Sequence, residues 1–100
     1  MSTNLNIGGL VAAGFDESGA YLLTVSHSGR GVFSTRTWSR VGRDDTLAYP
    51  EKGRAIGIGP VAGQSIPVTD ATDQLNLVSP DGQFNLSYES GTLAVTAASP

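Results

Sequence analysis

The chain has 100 residues, 39% of them hydrophobic and 15% charged, with 13 glycines, 5 prolines, no cysteine and a formal net charge of −3. Those proportions describe one small globular domain, residues 1–100, cut into short elements by frequent turns. They exclude a disulfide framework, a thiolate metal site and a cysteine nucleophile, and no run approaches the roughly 18 apolar residues of a membrane span.

In chain order, the N-terminal stretch MSTNLNIGGLVAAGF has no basic leader and its apolar run is broken by glycines, so the protein is expected to be cytoplasmic. From there on apolar residues recur with period two, the strand signal, and no window keeps the spacing of an amphipathic helix. Strands are predicted over residues 10–15, 21–27, 30–35, 38–43, 54–59, 65–69, 74–79, 83–89 and 92–97. In the second, Tyr21, Leu23 and Val25 share one face, while Ala20 and Leu22 make the other face partly apolar, as for a central strand. RAIGIGP and SIPVTD supply Ile56, Ile58, Ile66 and Val68. QFNLSYE is the cleanest half-buried strand: Phe84, Leu86 and Tyr88 oppose Gln83, Asn85, Ser87 and Glu89. In the last strand Leu93, Val95 and Ala97 fall together. Links this short join antiparallel hairpins and leave no room for crossover helices. The expected architecture is an all-β antiparallel meander of about eight or nine short strands, arranged as a small sandwich, an open barrel or a partial propeller.

One recipe is used twice. FDESGAYLLTVSHSG, residues 15–29, and VSPDGQFNLSYESG, residues 78–91, each run from an apolar residue through a turn ending in Gly to an alternating strand closed by Ser-Gly. Superposed on Gly19 and Gly82, Phe15 aligns with Val78, Tyr21 with Phe84, Leu23 with Leu86 and Val25 with Tyr88. Pro80 presets φ in a type I turn, and Asp16-Glu17-Ser18-Gly19 makes the same turn without proline. A third, degraded copy begins at Pro50-Glu51-Lys52-Gly53, with its isoleucines in the opposite phase. The blade-like units this implies span residues 10–43, 49–70 and 74–97.

FDESGAYLLTVSHSGRGVFSTRTWSRV resembles one repeat of the WD-repeat β-propeller family, with Phe15, Gly19, Leu22 or Leu23, Ser26, Gly29, Val32 and the turn at 34–37 in register; VSPDGQFNLSYESGTLAVTA is similar through its first three strands. Phe33-Ser34 stands where the family has Trp-Asp, and no Gly-His dipeptide precedes the first strand, so the family's structural His–Asp network has no residues here. A propeller needs four or more blades of about 40 residues. The resemblance therefore implies either copies assembled into a ring or hairpins folded onto one another as a small sandwich or open barrel.

Candidate chemistry is sparse. His27, the sole histidine, follows Ser26 at a hairpin tip without a Gly-x-Ser-x-Gly elbow and reads as surface. Asp70, Asp73 and Asp81 lack the spacing of a calcium loop and read as turn formers. GIGPVAG is followed by a strand and not by the helix that a phosphate cradle needs, so Gly57 and Gly59 are expected to thin a strand face where another backbone or side chain packs close. No enzyme, metal or cofactor is expected.

All six basic residues, Arg30, Arg36, Arg40, Arg43, Lys52 and Arg54, lie between positions 30 and 54, with acidic flanks that suit pairing within the chain or with a second copy. RTWSRVGR is the candidate binding stretch. In an extended conformation Arg36, Trp38 and Arg40 share one face and, with Arg43 nearby, offer a cationic aromatic platform. The alternative is that Trp38 closes one end of the core while the arginines are solvated or pair with Asp44 and Asp45. The expected function is a non-catalytic protein–protein interaction or self-associating module, forming a homo-oligomer or binding a protein partner. The alternative is a lectin-like small-ligand binder using Tyr21, Trp38 or Tyr88 as stacking surfaces. Membrane is excluded as a partner, and nucleic acid ranks last for a chain of net negative charge.

Overall fold

Leu22 and Leu23 are neighbours in one strand, and both are 0% exposed. Successive side chains of a strand point to opposite faces, so apolar layers must cover this strand on both sides. In the computed structural model, which describes residues 2–7, 9–27, 29–45, 50–71, 75–80, 82–89 and 91–97, they do. The chain is all-β, and the described residues form eleven strands: β1 (Ser2–Asn6), β2 (Leu10–Phe15), β3 (Tyr21–Ser26), β4 (Gly29–Ser34), β5 (Arg40–Asp44), β6 (Arg54–Ile56), β7 (Ser65–Pro67), β8 (Thr69–Asp70), β9 (Leu75–Val78), β10 (Phe84–Glu89) and β11 (Thr92–Ala97). All the pairings among the described residues are antiparallel and the sheets are open, which fits the small sandwich and forms no closed barrel.

The middle layer is a five-stranded sheet in the order β5-β4-β3-β2-β8. On one face Ala13, Phe15, Leu22 and Phe33 pack against Leu5, Leu75, Leu86, Leu93 and Val95 of a four-stranded sheet ordered β1-β11-β10-β9. On the other face Ala12, Leu23, Val25 and Val32 meet Ala55, Val61, Ile66 and Val68 of the β6–β7 hairpin and the 3₁₀ turn Gly59–Val61 inside it. Each fully buried leucine or valine contributes about 1.5–3 kcal/mol through removal from water. Two separate apolar clusters therefore share one sheet.

The two sequence echoes fold alike. Gly19 and Gly82 both have left-handed φ (77° and 74°). Their N–H groups donate to the carbonyls of Asp16 and Ser79. The buried side chains of Asp16 and Ser79 accept from the N–H of Tyr21 and of Phe84, at 3.0 Å in each case. Residues aligned by sequence thus fill the same place in the same turn. The third copy differs. Lys52 and Gly53 both have positive φ, and Glu51 and Arg54 exchange both backbone bonds, as in a two-residue type I′ hairpin turn.

Glycines let the layers approach. A Cβ on Gly14 would stand 2.0 Å from the Pro67 carbonyl oxygen, and one on Gly57 would stand 2.3 Å from that of Val61. Gly57 and Gly59 do thin the backbone for a close neighbour, as expected, but the predicted strand 54–59 stops at Ile56 because the 3₁₀ turn begins at Gly59. β1 has no counterpart among the predicted strands. It joins the edge of β11, the Ile7 N–H donates to the Gly91 carbonyl, and the Tyr88 hydroxyl donates to the carbonyl of Ile7 at 3.0 Å. Among the described residues no helix is long and apolar enough to cross a membrane.

Candidate interaction interface

The stretch RTWSRVGR does not form the expected ladder. Thr35, Arg36 and Thr37 make a turn in which the Trp38 N–H donates to the Ser34 carbonyl at 2.7 Å, and Trp38 takes a left-handed φ of 57°. That reversal ends the period-two alternation before β5 starts at Arg40. The Trp38 ring turns inward and meets Phe84 edge-on, centroids 5.2 Å apart at 90°, so it closes one end of the first apolar cluster. Arg36 stays exposed at the turn and shares no platform with it.

What the structure brings together instead is Arg40 and Arg43. β4 and β5 pair Phe33 with Arg40 and Gly31 with Arg43, with a register shift between them. Phe33 and Gly31 lie two apart and so share a face, which puts Arg40 and Arg43 on that same face although they are three apart. Val41 is the residue the bulge leaves over, and it is 43% exposed. The Arg40 guanidinium sits 5.4 Å from the Phe33 ring centroid. Arg43 pairs with Asp45 at 3.0 Å in an open setting, where such a pair contributes well under about 1 kcal/mol and yields readily to a competitor.

β5 is also the outermost strand of its sheet, and no described strand pairs with its free side. Arg40, Val41 and Arg43 are exposed, while Gly42 and Asp44 are half-buried; the 3₁₀ turn packs on Gly42, where a built Cβ would stand 3.3 Å from the Gly59 Cα. The basic middle of the chain pairs locally: the ion pairs among the described residues, Arg30–Asp44 and Arg43–Asp45, both lie within it and not between it and the acidic flanks.

The remaining candidates are built into the structure or exposed. The Ser26 hydroxyl donates to the Gly29 carbonyl at 3.2 Å from a buried position, while His27 is exposed one residue later, so the two lie on opposite sides of the strand end. Tyr88 bonds Ile7 through its hydroxyl and Tyr21 packs against the second cluster, and both residues are half-buried. Asp73 and Asp81 lie outside the described residues, and among those described no group of three His, Cys, Asp or Glu could hold a metal. Hollows among the described residues include one of about 400 Å³ beside Arg30 and Arg54, one of about 810 Å³ beside Asp16 and Ile66, and one of about 220 Å³ beside Phe15 and Val78. Comparison of the chain with protein families, with curated proteins and with solved structures finds no match.

Proposed function

We propose that this protein is a non-catalytic interaction module that binds an acidic, extended segment of a protein partner by adding it as a strand to β5. The observation that carries this reading is the outer edge of β5, with which no described strand pairs, with Arg40 and Arg43 on one face and Val41 exposed between them. An exposed edge supplies unpaired backbone groups for main-chain hydrogen bonds, and flanking side chains then select the partner. Two arginines on one face select carboxylates. They also disfavour a second copy of the same edge, because antiparallel self-pairing would set arginine against arginine.

The test is a titration with two eight-residue peptides, one alternating Glu with Val and one alternating Lys with Val. The Glu peptide binds and the Lys peptide does not. Arg40→Glu combined with Arg43→Glu weakens the Glu peptide by about tenfold or more and admits the Lys peptide. Binding of the Glu peptide falls as salt rises from about 0.01 to 0.15 M, where the Debye length shrinks from about 30 to 8 Å. Equal binding of the two peptides, or binding of neither, contradicts the proposal.

A further inference from the structure

A second basic site lies on the other face of the same sheet. Arg30 is directly opposite Asp44 and next to Gly31 in sequence, so it points away from the Arg40–Arg43 face, toward the β6–β7 hairpin. There it lines a cleft of about 400 Å³ together with Glu51, Lys52, Arg54, Ile56 and Ser65. Three cations thus converge from three places: Arg30 from β4, Lys52 from the type I′ turn and Arg54 from β6.

Two of the three are held in position. The Arg30 side chain is only 12% exposed; Nη1 donates to the Ile56 carbonyl at 2.8 Å and Nη2 to Asp44 Oδ2 at 3.2 Å. Its Nε is buried and has no hydrogen-bond partner among the described residues. Arg54 is clamped on Ser65, Nε on the hydroxyl at 2.8 Å and Nη2 on the carbonyl at 3.0 Å, and Nη1 has no hydrogen-bond partner among the described residues. Lys52 has no described partner. Against these three cations stand two carboxylates: Asp44, already bonded to Arg30, and Glu51 on the cleft wall. Fixed guanidiniums lose little side-chain entropy when a ligand arrives. Beside them Ile56 is 53% exposed, an apolar strip next to a cationic corner.

We infer that this cleft binds a small organic anion, its carboxylate or phosphate group among Arg30, Lys52 and Arg54 and its carbon body along Ile56. The cleft is too large for a bare inorganic ion to fill, and its apolar side has no role in binding one. Arg forks suit both carboxylate and phosphate, so headgroup and tail are tested separately.

The experiment follows backbone amides 51–56 and Ser65 by NMR while acetate, valerate, inorganic phosphate and butyl phosphate are titrated in turn. Valerate and butyl phosphate saturate, each binding at least about fivefold more tightly than its tail-less counterpart. The ratio between valerate and butyl phosphate identifies the headgroup. Arg54→Gln weakens both by about tenfold, Ile56→Ser removes only the advantage of the tail, and Glu51→Gln strengthens both by a few-fold by removing the opposing charge. Circular dichroism verifies that each variant is folded, and Lys52→Gln, at an exposed turn, provides the same test as Arg54→Gln if that variant unfolds. No saturation by any of the four anions up to about 50 mM, a range that covers the weakest specific binding, overturns the inference. So does binding that none of the substitutions alters.

Discussion

Two glycines with different constraints show how single residues hold the layers. Gly82 has φ 74° with nothing within 4 Å of a built Cβ, so Ala there meets only backbone strain of about 1–2 kcal/mol. Gly14 has ordinary φ, but its Cβ would stand 2.0 Å from the Pro67 carbonyl oxygen, a backbone atom. Gly14→Ala must therefore push β7 off the middle sheet. Urea melts are expected to show Gly14→Ala as clearly the more destabilising of the two; the reverse order would mean that β7 does not cross β2 at this point. Trp38 is the second residue-scale case. Its edge-on contact with Phe84 predicts a coupling of about 0.5–1.5 kcal/mol in a double-mutant cycle with Trp38→Ala and Phe84→Ala. Strict additivity would place Trp38 outside the core. The sequence marked Trp38 as the residue to watch, but its period-two placement assumed an extended backbone, and the left-handed φ at Trp38 is a local reversal that alternation does not encode.

At the scale of elements, strands with strong alternation were legible and those without it were not. β10 is predicted within a residue because Phe84, Leu86 and Tyr88 alternate with polar neighbours. β1 is missed because STNLN holds one apolar residue, Leu5, and becomes a strand only by pairing with β11, a partner some ninety positions away. The Arg40–Arg43 face is missed for a related reason. Residues three apart fall on opposite faces of a regular strand, and only the bulge against β4 unites them. The bulge has a testable consequence at Val41. Exposed and left over in the pairing, it tolerates Val41→Thr with a loss of under about 0.5 kcal/mol in a thermal melt. A loss like that of a core valine would show that β5 is covered on its outer side. The turn pair was fully legible: aligning Gly19 with Gly82 matched Asp16 to Ser79, the two side chains that bond Tyr21 and Phe84.

For the whole molecule the decisive inference is that β3 is buried on both sides. The partly apolar second face of AYLLTVS pointed to a central strand, yet which segments cover it depends on how hairpins stack, and that is not a local property. With two clusters on one sheet, Leu22→Ala and Leu23→Ala injure different clusters but the same strand. Each is expected to cost about 2–5 kcal/mol, a large part of the roughly 5–15 kcal/mol that a domain of this size holds. Trp38 fluorescence, which reports the first cluster, and far-ultraviolet circular dichroism should shift together in both variants. Separate transitions for Leu23→Ala would mean that the β6–β7 layer melts alone. Stacking also places the two basic sites on opposite faces of one sheet, Arg40 and Arg43 on one and Arg30 on the other, so that a long acidic segment on β5 and a small anion beside β6 would not compete.

The central functional claim is that β5 is an edge waiting for a strand, and amide hydrogen exchange across Arg40–Asp44 tests it most directly. In the free protein the outward-facing amides of β5 exchange fast, while those of β3 are protected to the limit of global unfolding. With saturating Glu-Val peptide, the fast amides of β5 become protected, and those of the edge strands β1 and β9 stay as they were. Protection of β5 without the peptide, or peptide binding that leaves β5 exchange unchanged, would contradict strand addition at this edge.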